Sequence, residues 1–271
     1  MMNLSDIFEY TFFRNAFAGI VIISIASAMI GTYIVSRRSV AITGGITHSC
    51  FGGLGLGYWL GVSPVVTASL FAIAASLGVE FMSSRMKVRE DSAIAVVWAI
   101  GMAIGVIFVF ATPGYVPELN GFLFGNILTI GTDDLIAFSV YTVILALFFL
   151  WKYNQIVIIA FDRDFAKVAK LPVLAVSTAM TVLVAVCIVL TIRLVGIMLL
   201  VSMLCLPQLV AEVFARRFKT IMFLSVVVSL IGSVAGLFVS ATVDVPCSAL
   251  IVCFFAGFYI IAKLIRLCCR L

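Results

Sequence analysis

Charge is scarce in this chain. Lys, Arg, Asp and Glu together supply 11% of its 271 residues, while 64% are hydrophobic; a soluble domain carries about a quarter charged residues. That balance excludes a soluble globular fold and describes an all-α, polytopic integral membrane protein. Histidine is scarcer still, His48 being the single one. Neither a GxxxxGK[ST] phosphate loop, nor a Ser/His/Asp set, nor a pair of carboxylates at catalytic spacing occurs. The chain therefore reads as no enzyme and as unable to hydrolyse ATP by itself. Its seven cysteines contain no CxxC and read as small apolar packing residues, with Cys268 and Cys269 beside Arg266 and Arg270 a weak signal for palmitoylation. The first twelve residues hold Asp6 and Glu9 and no basic residue, so no secretory signal peptide is expected and the first span is expected to remain.

What is present is uncharged sequence in long runs: 15–36, 39–79, 92–117, 135–151, 171–192, 194–211, 220–243 and 245–262. Seven of these suit one helix each, because a bilayer core of about 30 Å needs roughly 20 residues. The run 39–79 is twice that length, and Gly61-Val62-Ser63-Pro64 offers a turn with Pro64 opening the next helix. The expectation is about nine transmembrane helices in a single domain, 1–271. Alternating sides then place 15 of the 17 Lys and Arg residues on one face and leave Arg14 and Arg193 on the other. That asymmetry puts the N-terminus outside and the C-terminus in the cytoplasm of a bacterial plasma membrane. It also accounts for the net charge of +5 without any nucleic-acid partner.

Two connections exceed a turn. Residues 112–134 lie outside and contain the moderately apolar segment 121–130, too short to span and expected to form a re-entrant or interfacial helix on the outer face. The other, 154–171, is cytoplasmic. In it Asp162 or Asp164 can start a helix, acids precede Lys167 and Lys170 as the helix dipole favours, and Phe165 shares a face with Ala169. A short amphipathic helix on the cytoplasmic surface follows. Glu80 and Glu212 fall near span ends and are expected at the interface, Glu212 in a helical pair with Arg216 four residues on. No proton relay through the membrane is evident.

The stretch 43–61 carries seven glycines and His48. Small residues at helical spacing, including Gly53 and Gly57, serve close helix packing. His48 is a candidate metal ligand because an ionisable group in an apolar span needs a partner or a polar cavity. Cys50, two residues on, points about 200° away on a helix, so the two side chains cannot share one ion while the helix is intact.

Four stretches, taken together, resemble one family, the permease subunits of ATP-binding-cassette importers for zinc, manganese and iron, which are related in architecture to the cobalamin and siderophore permeases. Ser36-Arg37-Arg38 followed by 43–48 is similar to "RR…GDALSH", and 89–94 to "KEDTAIG". Segments 123–128 and 161–166 are similar to "LFGNIL" and "FDEELARA", and 195–207 to "VGILLVSALLIIP". The resemblance implies a homodimer of permeases in membrane lipid, a cytoplasmic ATPase dimer that binds the ATP, and an extracytoplasmic metal-binding protein. It implies no covalently bound cofactor, a transported divalent metal, and His48 in the translocation pathway. It makes 162–171 the coupling helix, with Asp162, Asp164, Phe165, Ala166, Ala169 and Lys170 facing the ATPase. Two positions depart from the pattern: Gly44 or Gly45 stands where the family has Asp, and Lys170 where its coupling helix often ends in Gly. The first departure favours zinc, then manganese or iron, since imidazole without carboxylate is a softer donor set. An ion-gradient transporter or channel without an ATPase is the alternative, and would call for deep acidic residues; a membrane-embedded assembly or sensor protein is a third reading.

Overall fold

The computed structural model describes residues 10–113, 125, 127, 130–243 and 245–269. They form ten helices and, among the described residues, no strand: α1 Thr11–Ser36, α2 Ala41–Leu60, α3 Pro64–Ser84, α4 Glu90–Ala111, α5 Thr132–Phe161, α6 Arg163–Val168, α7 Val173–Met203, α8 Leu206–Phe214, α9 Phe218–Val243 and α10 Cys247–Cys269. The expected external helix over 121–130 lies largely outside the described residues.

Seven helical stretches among the described residues are long and apolar enough to cross a membrane. Glycine-rich α2, of 20 residues, is not one of them. One of the seven is Val173–Phe214, at 42 residues twice what a bilayer requires. Its helical dihedrals break at Gly196 (φ 80, ψ 171), a conformation that favours glycine. The expected nine spans differ from the seven by α2 and by this division. The division itself falls at Gly196, not at Arg193, where the helix runs on with the charged side chain exposed.

The chain divides into two compact units. One takes Met1–Val35, Asn120–Trp151 and Leu194–Leu271; the other takes Ser36–Leu119 and Lys152–Arg193. In the first, α8 packs on α9 and α10, and Gln208 of α8 is fully buried, its amide nitrogen donating to the carbonyls of Ser27 (3.1 Å) and Met203 (3.2 Å). Gly31 of α1 leaves room for that amide, since a Cβ there would lie 2.6 Å from both Gln208 Cδ and the Leu204 carbonyl. Gly125 (φ 59) lies against the Val195–Gly196 peptide, so a glycine from each of two family-like stretches is used where two backbones meet. α8 stops at Phe214 and Ala215 is extended (φ −129, ψ 150). The Glu212–Arg216 pair read from the spacing therefore has no helical turn to sit on.

In the second unit α2 is packed between α3 and α4. α2 ends in a reversal at Gly61 (φ 67), where the amides of Gly61 and Val62 reach back to the carbonyls of Tyr58 (3.3 Å) and Gly57 (3.1 Å). Pro64 then opens α3, as the sequence predicts.

Candidate functional site

Six of the 20 residues of α2 are glycine, each less favourable than alanine by about 1 kcal/mol in an isolated helix. What offsets this is backbone contact on two sides. Toward α3, a Cβ on Gly53 would lie 2.5 Å from the Thr67 carbonyl and 2.6 Å from Ala68 Cα. Toward α4, a Cβ on Gly55 would lie 2.5 Å from the Gly105 carbonyl, and one on Gly101 would lie 2.6 Å from Ser49 Cα. The hydroxyl of Ser49 adds a polar contact between the helices, 3.1 Å from the Val97 carbonyl. Gly101 and Gly105 on α4 are the partners that the reading of α2 alone missed; their own GxxxG spacing was the available signal.

The Gly44-Gly45 pair divides between these roles. A Cβ on Gly45 would collide with Ile94 of α4, whereas one on Gly44 would meet nothing within 4 Å. Gly44 is thus the open position, one helical turn before His48 and on the same face. His48 is partly exposed there, and its ring stacks on Trp98 of α4 with centroids 4.8 Å apart and planes 9° from parallel. Cys50 faces the other way, fully buried, its thiol 3.1 Å from the Ile46 carbonyl. Because α2 is unbroken across both residues, they point apart as expected. No group of three or more His, Cys, Asp and Glu capable of holding a metal occurs among the described residues.

The helix expected in 162–171 is present as α6. Asp162 is its cap: extended (φ −148, ψ 99), it accepts from the amides of Asp164 (3.0 Å) and Phe165 (2.8 Å). Asp164 instead pairs with Lys167 at 2.8 Å, and that ammonium, through its hydrogen bond and charge, holds the exposed Asp164 carboxyl below its ordinary value. The small stabilisation this gives is present above the ordinary carboxylate pKa of about 4 and fades as pH falls below it. The far end closes with Lys170 N to the Lys167 carbonyl (3.0 Å) and Leu171 N to the Ala166 carbonyl (3.0 Å), a Schellman arrangement that puts Lys170 in the left-handed region (φ 55). Lysine occupies the position glycine favours, at a cost of about 1 kcal/mol. Lys170→Gly is accordingly expected to strengthen α6 by about that amount, read as slower amide exchange at Lys170 and Leu171. Phe165 (58% exposed) and Val168 (82%) face outward, with Ala169 and Lys170 also exposed, while Ala166 is completely buried. Of the six residues assigned to contact with a partner, Ala166 is the one that anchors α6 to its own unit.

Glu80, near the end of α3, is buried within the protein. It is 6% exposed, and four charged or polar side chains gather around it. Arg163 of α6 pairs with Oε1 and also donates to Ser177 Oγ of α7 at 2.8 Å; Ser177 donates to Oε1 at 3.0 Å. Arg37, just past α1, lies 3.5 Å from Oε2 and 3.2 Å from the carboxylate of Glu90 in the first turn of α4. Spacing along the chain gave no sign of this, since Glu80 is 43 residues from Arg37 and 83 from Arg163. Two acids and two guanidiniums balance, as burial of charge requires.

Residues 9–266 match the model of the ABC 3 transport family. A Chlamydia pneumoniae protein named "Probable metal transport system membrane protein" is 34% identical over 82% of this chain and 78% of its own length. The manganese transport system membrane protein MntC of Halalkalibacterium halodurans is 26% identical over 93% of this chain and 88% of its own. Among solved structures, PsaBC from Streptococcus pneumoniae in complex with Fab matches with a TM-score of 0.83 at 25% identity, covering 96% of this chain and 93% of that one. The chain is a multi-pass inner-membrane protein of the ABC 3 transport family, a permease subunit of metal-ion ABC transporters.

Proposed function

We propose that the chain is the membrane path of an ATP-driven importer for a divalent transition metal, zinc before manganese or iron, and that α6 is its contact with separate cytoplasmic ATPases. The observation that carries the reading is α6 itself: a six-residue helix capped at both ends, tied inward by Ala166 and Arg163, and presenting Phe165 and Val168 outward. Exposed apolar side chains on a rigid short helix between two long ones suit a groove on a soluble partner. With the N-terminus outside, α6 lies on the cytoplasmic side together with Arg37, Glu80 and Glu90, which the cluster holds at one end of their helices.

Metal relatives support the cargo. For the ion, Gly44 is open where a carboxylate would harden the site, so His48 favours zinc. One imidazole is short of the usual four zinc ligands, and a second copy of the chain, water and the delivering extracytoplasmic binding protein complete the path in this reading. Phe165→Ala tests the coupling role in proteoliposomes holding the permease and its ATPase. ATP hydrolysis is expected to persist while metal uptake falls about tenfold or more; unchanged uptake per ATP would remove α6 from the mechanism.

A further inference from the structure

We propose that Glu80 is the positioning residue through which α6 moves the helices bearing His48 and Trp98, an inference that rests on α6 being the ATPase contact. Among the described residues, Arg163 makes the polar side-chain contacts that α6 has with other helices; Asp162 and the Asp164–Lys167 pair are used within α6. Both of Arg163's polar contacts lead to one spot, Glu80 on α3 and Ser177 on α7. From Glu80 the contacts continue through Arg37 to Glu90, the first residue of α4.

Each next step is close packed. α3 meets α2 through backbone contact at Gly53, so a shift of α3 has no slack to absorb it before reaching α2. α4 carries Trp98, stacked on His48 of α2. A planar guanidinium held between a buried carboxylate and a hydroxyl resists both stretch and rotation, unlike an exposed lysine. Static burial alone does not require such a cluster, because well-packed apolar residues of similar volume often serve stability as well. A group that must carry displacement from one helix to three others does require directional contacts.

The test uses the complete transporter, permease with ATPase, reconstituted in proteoliposomes with zinc as the transported probe. Glu80→Gln keeps the volume and removes the charge. Assembly with the ATPase and ATP hydrolysis are expected to continue, while zinc carried per ATP falls about tenfold; Glu80→Asp is expected to restore part of it. A purely structural role would lower the amount of assembled protein and leave the ratio unchanged. If Glu80→Gln does not assemble, the same ratio on Arg163→Gln decides. A wild-type ratio in either assembled variant would overturn the proposal. Comparison with Phe165→Ala separates the two ideas: loss of coupling there with a normal ratio in Glu80→Gln refutes the role of Glu80 alone, and normal coupling in both removes α6 as well.

Discussion

Replacing Gly55 by alanine is expected to lower the melting temperature of the detergent-purified protein sharply, whereas the same change at Gly44 leaves it level or raises it. Both residues lie inside α2, so both substitutions gain the same helix propensity, about 0.5–1 kcal/mol. They differ in what the new methyl meets. At Gly44 there is nothing within 4 Å; at Gly55 the methyl would sit 2.5 Å from the Gly105 carbonyl and 3.0 Å from its Cα. Backbone atoms cannot rotate aside as a side chain can, so α2 and α4 must separate, and forced overpacking typically costs about 1–3 kcal/mol. Because the propensity gain is common to both, the two variants should differ by the overpacking cost, roughly 1–3 kcal/mol in stability. Equal melting temperatures would mean that α2 and α4 do not meet through their glycines.

The second large effect concerns the face that holds Gly44 and His48. His48→Ala is expected to reduce metal uptake by at least the roughly 10–100-fold that loss of a ligand's supporting hydrogen bond alone costs a metal site, with ATP hydrolysis retained. Gly44→Asp is the informative companion. Space is available for the carboxylate, one turn from the imidazole, and it would add an oxygen donor that favours manganese over zinc. The same substitution reports what the face looks onto. An acidic side chain directed at lipid near the bilayer centre costs about 2.5–3.5 kcal/mol and would depress membrane insertion; one directed into a hydrated path would leave expression normal and alter the zinc-to-manganese uptake ratio.

Much of α6 was legible because its determinants are local. Asp162 caps the amides two and three residues on, and Lys170 closes the helix within four residues of Ala166. The reversal at Gly61-Pro64 was equally local. The role of each member of the Gly44-Gly45 pair was not, because only Ile94 on another helix distinguishes them. The ion cluster around Glu80 was hidden for a related reason: its distance from the end of an uncharged run says nothing about Arg37 and Arg163 arriving from remote segments. Placing the break at Arg193 assumed that a charge must end a span. In the fold an exposed arginine is tolerated by a continuing helix, and the break comes three residues later at Gly196, where the dihedrals leave the helical region.

The most direct test of the account is radioactive zinc uptake by proteoliposomes containing this chain and its ATPase, supplied with ATP on the α6 side and with no ion gradient imposed. Zinc is predicted to move across the membrane in proportion to ATP hydrolysed and to stop when the ATPase is omitted. Zinc movement that follows an imposed ion gradient and is indifferent to the ATPase would contradict the account.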